Sequence, residues 1–362
     1  MKKLFVFAAA LLALASCSQG DEPQAIVETR EISFAPIANE TRATAVDETK
    51  TETLQNGFAV WGYVKETTAG SFAEVFKNTT VKYVDATNVS TSDFGNVTKV
   101  WQPEGGDIKY WAPNSTYWFS ALYPQNAAEY SFTTDGTNHT QTITGFSIVD
   151  GGVNTKDIVV AQPARAILED KHTRPAVGLT FDHMLARVRF AFRNGFDDNN
   201  VTIEISNVEL NGLLAKADAN ITSGVASWEN TSGNIKLDFQ DKDDVFTLTN
   251  NSIGEAVEKD TIATQYRLFI PTSVEKDAYK LSFDLVVKAD GVTVLTKSYT
   301  VAVYENENND AVGLKAVDYK NGKSYLFSAT INGNLLQEEI FPINFDVKVT
   351  DWAADQYMGD IF

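Results

Sequence analysis

The chain has few of the residues that build most catalytic and metal sites. Among 362 residues it has one cysteine and three histidines. A single cysteine cannot form a disulfide within the chain, and no two histidines lie at the spacing of zinc ligands. The sequence also lacks a G-x-S-x-G nucleophile turn and a glycine-rich phosphate-binding loop. No pair stands out among the 48 acidic residues, so we expect no enzyme activity, no metal and no cofactor.

Positive charge is also scarce, since 30 basic side chains face 48 acidic ones and the net charge is −18. Such a surface repels the phosphates of nucleic acids and anionic lipid headgroups, which excludes both as expected partners. Hydrophobic residues make up 43% of the chain and aromatic residues 11%. This composition is ample for packed cores and predicts a globular protein rather than a disordered one.

An apolar run at the N-terminus, Leu4–Leu14, follows Lys2 and Lys3. Its length is typical of a secretion signal and too short to span a bilayer, which takes about 20 residues. The run ends in a short motif, Leu14-Ala15-Ser16-Cys17, that resembles the lipobox of bacterial lipoproteins. The resemblance implies that residues 1–16 are a signal peptide and that the cysteine is lipidated.

Residues 17–30 are polar and acidic and are predicted to form a tether behind the lipidated Cys17. The segment Gln19-Gly20-Asp21-Glu22 resembles the surface-export signal of lipoproteins from Bacteroidales. The expected location is therefore the outer membrane, with the protein held by its lipid anchor and exposed at the cell surface.

Beyond the tether, the dominant period of hydrophobic residues is two, which is typical of half-buried β-strands. The segment 343–350 alternates throughout, with one face formed by Ile343, Phe345, Val347 and Val349. Similar runs, separated by turn dipeptides such as Asp290-Gly291 and Asn211-Gly212, recur along the chain. The pattern predicts an all-β protein built from β-sandwiches.

A charged, proline-containing stretch at residues 169–175 is the predicted boundary between two domains. The N-terminal sandwich would then span residues 31–168 and the C-terminal sandwich residues 169–362. The first strand of the N-terminal domain is predicted at residues 31–38.

Several segments together resemble the fimbrillin family, the subunits and related lipoproteins of type V pili. The resemblance rests on the lipobox at Cys17 and on segments including Phe58-Ala59-Val60-Trp61-Gly62-Tyr63, Tyr110-Trp111-Ala112-Pro113, Leu179-Thr180-Phe181-Asp182-His183 and Val347-Lys348-Val349-Thr350-Asp351-Trp352. It implies two tandem transthyretin-like β-sandwich domains. It also implies a pilin that a protease cuts after an arginine, which removes the first strand and opens a groove for a strand of another pilin.

In this chain the resemblance makes Ile32 and Phe34 the side chains that plug the groove, and Arg42 the processing site. Arg42 follows the removable strand 31–38, whereas a cut at Arg30 would leave the groove filled. Two other interpretations stay open. Arg42 could be an ordinary solvated side chain, and Ile32 and Phe34 could belong to a permanent first strand.

The alternating C-terminal strand is a candidate donor to a neighbouring subunit, and a structural core strand is the competing interpretation. The expected function is a structural subunit, as stalk, tip or anchor of a pilus, with a role in adhesion. The alternative is a surface lipoprotein that does not polymerise and binds carbohydrate or protein. Trp101 and Trp228 are candidate sugar contacts, and packing in the core or at a sheet edge is the competing interpretation of both. His183 is expected to be a structural, hydrogen-bonded residue beside Asp182.

Overall fold

A computed structural model describes residues 31–38, 57–66, 69–85, 99–104, 107–167, 176–240, 244–249, 261–275, 278–303, 316–332 and 346–351. These residues fold almost entirely into β-strands, which confirms the predicted all-β class. The predicted signal peptide 1–16, the predicted lipidation site Cys17, the predicted tether 17–30 and Arg42 lie outside the described residues. No helix within the described segments is long and apolar enough to cross a membrane.

In chain order the strands are β1 (Phe34–Ala38), β2 (Phe58–Glu66), β3 (Ala73–Asp85), β4 (Lys99–Pro103), β5 (Ser115–Tyr123), β6 (Glu129–Thr134), β7 (His139–Ser147), β8 (Val159–Ala161), β9 (Ala164–Ile167), β10 (Val177–His183), β11 (Ala186–Asn194), β12 (Val201–Thr222), β13 (Val225–Asp238), β14 (Phe246–Thr249), β15 (Thr261–Ala263), β16 (Arg267–Phe269), β17 (Ser273–Glu275), β18 (Lys280–Ala289), β19 (Val292–Ala302), β20 (Ala316–Asp318), β21 (Lys323–Ile331) and β22 (Asp346–Asp351). A short 3-10 helix spans Asp150–Gly152.

Local sequence explains how these strands begin and end. Along β18, buried and partly exposed residues alternate, because successive side chains point to opposite faces of a sheet. The predicted turn at Asp290-Gly291 joins β18 to β19, and both residues have positive φ, 51° and 76°. Such angles are those of a tight hairpin turn, which the Asp-Gly dipeptide accepts at low steric cost.

The predicted turn at Asn211-Gly212 is wrong, because both residues lie inside the 22-residue strand β12. Gly212 has a φ of 94°, and the pairing of β12 with β13 shifts register between Leu210 and Leu213. The dipeptide therefore makes a β-bulge, which bends the strand without ending it.

The first sheet closes on itself. Its strands follow the order β2-β3-β4-β1-β10-β8-β5, and β5 also pairs with β2, while β9 pairs with β5 outside the ring. Within the described residues, β1 is the link between β4 and β10, so the ring depends on this short strand.

Two further sheets contain most of the remaining strands. One follows the order β15-β11-β21-β22, and the other follows β19-β18-β12-β7-β6 with β13 and β14 beside β12. Strand pairing crosses the predicted boundary at residues 168/169 in two places. β10 joins the first sheet, and β6 and β7 join the sheet of β12. The division into 31–168 and 169–362 stays a prediction.

The buried hydrophobic residues form two clusters. The smaller one fills the ring of the first sheet and contains Ile32 and Phe34. The larger one contains residues of all three large sheets and lies on both sides of the predicted boundary, as Phe132 and Phe190 show. The smaller cluster is the one that forms the site described next.

Candidate functional site

The segment predicted to plug a groove, residues 31–38, lies in the middle of the first sheet. β1 pairs in parallel with β10 over five positions, from Phe34 opposite Val177 to Ala38 opposite Phe181. On its other side it pairs with β4 at one position, Phe34 opposite Trp101. β1 therefore pairs along its whole length with β10 and at a single position with β4. We call the space it fills, between β4 and β10, the β1 slot.

The two predicted plug side chains are buried in the β1 slot. Ile32 is 0% exposed and Phe34 is 2% exposed. The Phe34 ring makes edge contacts with Phe58, Phe76 and Phe119, with ring centroids 6.4, 5.9 and 5.6 Å away. Edge-to-face geometry at these distances is favourable beyond the simple burial of area. Phe34 is thus the centre of an aromatic floor contributed by β2, β3 and β5.

Backbone hydrogen bonds fix the segment just before β1. The Ile32 amide donates to the Lys109 carbonyl at 2.8 Å, and the Val177 amide donates to the Ser33 carbonyl at 2.9 Å. Backbone groups of alternate residues point to the same neighbouring strand, so Ser33 and Ala35 face β10. Pro36 then faces the β4 side, where pairing has already ended and no amide donor is needed. This explains how a proline fits inside a sheet.

Glu31 lies at the open end of the slot, in an isolated antiparallel bridge with Tyr110. Its Oε2 atom is buried and has no hydrogen-bond partner in the described structure. Burial raises the pKa of this carboxyl above its ordinary value, because the charged form loses water. Docking of the first strand therefore places an acidic side chain in an unfavourable environment at neutral pH.

The candidate donor strand lies elsewhere, at the edge of another sheet. Among the described strands β22 pairs with β21 alone, antiparallel, from Lys323 opposite Asp351 to Ser328 opposite Asp346. Val347 and Val349 are half-buried and pack against the larger core cluster. Ile343 and Phe345 lie outside the described residues. The structure thus places half of the predicted donor face and leaves its role a prediction.

Neither of the two tryptophans considered as sugar contacts has a fully exposed ring. Trp101 is 6% exposed and packs on Phe58, with ring centroids 5.4 Å apart. Trp228 is half-buried, contacts Phe146 and donates its indole N–H to the Met184 carbonyl at 3.2 Å. Both residues therefore serve packing in this conformation.

His183 is a hydrogen-bonded residue, as expected, and Asp157 is one of its partners. Its Nδ1 lies 2.5 Å from Oδ2 of Asp157, while Asp182 accepts a hydrogen bond from Gln162 at 2.7 Å. A strand alternates its side chains, so adjacent residues such as Asp182 and His183 point to opposite faces.

Sequence reasoning missed a buried polar cluster between the sheets. Ser120 of β5 contacts the Tyr130 hydroxyl at 2.6 Å and donates to the Ala161 carbonyl at 2.8 Å. The side-chain Nε2 of Gln141 lies 2.8 to 2.9 Å from the Ser120 hydroxyl, the Tyr130 hydroxyl and the Ala161 carbonyl, and its two hydrogens are shared among these three acceptors. Burial raises the pKa of Tyr130. Because no basic side chain takes part in these contacts, the cluster ties β5 and β8 to β6 and β7 and does not make a nucleophile.

The described residues contain no group of three or more His, Cys, Asp or Glu side chains that could hold a metal ion. The site with the most distinctive geometry is therefore the β1 slot, which binds a strand rather than a small ligand.

The sequence profile of the fimbrillin-like family matches residues 41–352, which is most of the chain. The chain belongs to the fimbrillin-like family. The match begins after β1, so the strand that fills the slot lies outside the shared segment. No curated protein sequence matches the chain.

Solved structures of similar shape include fimbrial proteins. A fimbrial protein from Bacteroides vulgatus has a TM-score of 0.53 and 15% identity, covering 90% of this chain and 100% of that one. The tip fimbrial protein Mfa3 from Porphyromonas gingivalis has a TM-score of 0.33 and 8% identity, covering 82% of this chain and 94% of that one. The first likeness supports the all-β fold.

Proposed function

We propose that this fimbrillin-like protein is a structural subunit of a pilus, as stalk, tip or anchor, and that it assembles by exchange of the strand in the β1 slot. The observation that carries the proposal is the arrangement of β1. Ile32, just before β1, and Phe34, at its start, are almost fully buried, yet the β1 backbone pairs along its length with only one of its described neighbours. Family membership supports a pilus-related or adhesin-like surface protein rather than an enzyme.

An empty β1 slot would be unfavourable in water. Burying a Phe or Ile side chain stabilises by about 1.5–3 kcal/mol, and the aromatic floor around Phe34 would also become exposed. The amides and carbonyls of β10 that face β1 would lose their partners as well. Binding of a strand from another subunit would therefore be favourable. The added strand would pair with the free backbone groups of β10, and its side chains would fill the apolar pockets.

The proposed trigger is a cut after Arg42, four residues beyond the end of β1 at Ala38. Such a cut would free the first strand from the body of the subunit together with the lipid-bearing Cys17. A cut after Arg30 would release the lipid but leave β1 covalently attached and docked. The two arginines therefore predict different outcomes.

The proposed donor is the C-terminal strand with Ile343, Phe345, Val347 and Val349 on one face. Its described part, β22, pairs with one strand among the described residues. Only one set of backbone hydrogen bonds must therefore break before β22 is released. Alternating apolar side chains would fit the slot in the way that Ile32 and Phe34 do now.

The test uses the chain from residue 17 onward with Cys17→Ser, treated briefly with an arginine-specific protease. We expect fibres or ladders of subunits on electron micrographs and denaturant-free gels. Arg42→Gln should block assembly, whereas the matched control Arg30→Gln should assemble normally. Equal assembly by both variants, or release of residues 17–42 with monomers only, would refute strand exchange.

The alternative, a surface lipoprotein that does not polymerise and binds carbohydrate or protein, predicts a different result. Such a protein would stay monomeric after the cut and would bind a glycan array as an intact monomer. Trp101 is buried, and the half-buried Trp228 donates its indole N–H to the Met184 carbonyl, so neither side chain supports a sugar-stacking site in this conformation.

A further inference from the structure

The outer edge of β19 differs from the other sheet edges of the molecule. β19 is 11 residues long and ends the order β19-β18-β12-β7-β6. The described residues place no strand on its outer side. Eight consecutive pairs, from Leu295 opposite Val287 to Ala302 opposite Lys280, hold its inner side to β18. The outer side is thus a long, straight row of backbone groups.

The backbone direction along this edge follows from one hydrogen bond. The Val303 amide donates to the Tyr279 carbonyl at 3.1 Å, so Val303 faces β18. Residues alternate in an antiparallel ladder, so the amides and carbonyls of Thr296, Ser298 and Thr300 point outward. All three residues are exposed. They offer pairing groups for another strand.

Proteins normally protect such edges with short strands, bulges, prolines or charges. The other edge strands here have these features. β9 has four residues, β6 and β22 have six each, and β13 shifts register twice against β12 and carries Glu229, Lys236 and Asp238. β19 has a single bulge at its start, no proline and one charge, Lys297. It also exposes Val292 and Val294, at 66% and 53%.

Charge indicates which partner fits. The chain carries a net charge of −18, so most approaches of one copy to another bring carboxylates together. The hairpin 280–302 carries three lysines and two aspartates, a net charge of +1, and β19 itself has no carboxylate. Two copies can therefore meet along β19 with less repulsion than along the acidic remainder of the surface.

We propose that β19 is a self-association edge, at which two copies of this chain pair antiparallel across a two-fold axis. An axis at Thr296 or Ser298 keeps the two Lys297 side chains from lying directly opposite each other, which would be unfavourable. The proposal does not depend on strand exchange, because it uses a different sheet and needs no cut. Edge pairing buries little area, so the dimer is weak, with a dissociation constant on the order of 100 µM.

The test is sedimentation equilibrium of the uncut chain from residue 17 with Cys17→Ser and Arg42→Gln, over a wide concentration series. We expect a monomer–dimer equilibrium that tightens with added salt, because salt screens the repulsion between acidic copies. Thr296→Glu adds a carboxylate to the edge and should weaken the dimer about tenfold or more. Thr300→Pro removes an outward amide and should do the same.

The matched control is Val225→Glu, which adds the same charge at a residue that is 60% exposed on β13, and it should leave the dimer within about twofold. Far-UV circular dichroism checks that every variant is folded. A chain that stays monomeric up to about 1 mM, or a dimer that neither edge substitution weakens, would overturn the proposal. Because Arg42→Gln blocks the proposed cut, neither result bears on strand exchange.

Discussion

The strands nearest the two described ends of the chain, β1 and β22, are held in opposite ways. β1 lies between two strands, and its anchoring side chains Ile32 and Phe34 are almost fully buried. β22 lies at an edge and has one neighbour, and its side chains Val347 and Val349 are half-buried. Removal of β1, the strand proposed to leave, would thus expose a buried slot that another strand must fill. Release of β22, the proposed donor, would break the pairing with one strand only.

The largest effect should come from Phe34→Ala. Truncating a buried aromatic side chain costs about 3–5 kcal/mol, and here it empties the centre of the aromatic floor. Urea unfolding followed by tryptophan fluorescence should show the loss, since Trp101 and Trp111 belong to the same cluster. The control Phe34→Leu keeps most of the volume and should cost clearly less. Equal, small losses below about 1 kcal/mol would mean that β1 contributes little to the N-terminal core.

A smaller effect is expected from Val349→Ala in β22. The side chain is half-buried at a sheet edge, so the loss in unfolding free energy should be about 0.5–1.5 kcal/mol. The same substitution should impair fibre assembly much more than folding if β22 is the donor. Thr350→Ala, at an exposed position of the same strand, is the control. Normal assembly by Val349→Ala would favour the interpretation of β22 as a permanent core strand.

The smallest effect should come from Glu31, and it depends on pH. Its pKa is raised when β1 is docked, so the docked state binds its proton more tightly than the released state. The contribution to docking is therefore present below the ordinary value of 4.5 and is lost as the pH rises through the raised pKa. Hydrogen exchange of residues 31–38 should be slower at pH 4 than at pH 7, after correction for intrinsic rates.

Glu31→Gln should reduce this pH dependence. Glu104→Gln is a suitable control, because Glu104 is exposed on the same sheet, where it accepts a hydrogen bond from Lys82. An unchanged pH profile in Glu31→Gln would show that another group governs release of the strand.

The sequence indicated where strands occur far better than it indicated which strands pair with each other. The family resemblance placed the first strand at residues 31–38, with Ile32 and Phe34 as its plug side chains, and both side chains are buried; the strand itself begins at Phe34. Period-two alternation carries no information on pairing partners, so the parallel pairing of Phe34 with Val177, 143 residues away, could not be foreseen. The same limit explains why β6 and β7 join strands beyond the predicted boundary.

The Asp-Gly and Asn-Gly dipeptides predicted a chain reversal correctly only where the neighbouring strands leave room for a turn. Asp290-Gly291 makes the predicted hairpin, whereas Asn211-Gly212 makes a bulge inside β12. Both dipeptides include a glycine with positive φ, and the neighbouring strands decide whether the chain reverses there. The exposure of Trp101 could not be predicted from the sequence either. Its burial depends on the pairing of β4 with β1, which brings Trp101 next to Phe34.

The most direct test of strand exchange is the intact mass of subunits recovered from fibres after cutting, measured under denaturing conditions. The account predicts subunits that begin at Ala43, with the segment containing Ile32 and Phe34 absent from the fibre. Fibres whose subunits retain residues 31–42, whether covalently attached or bound as a cut peptide, would contradict it.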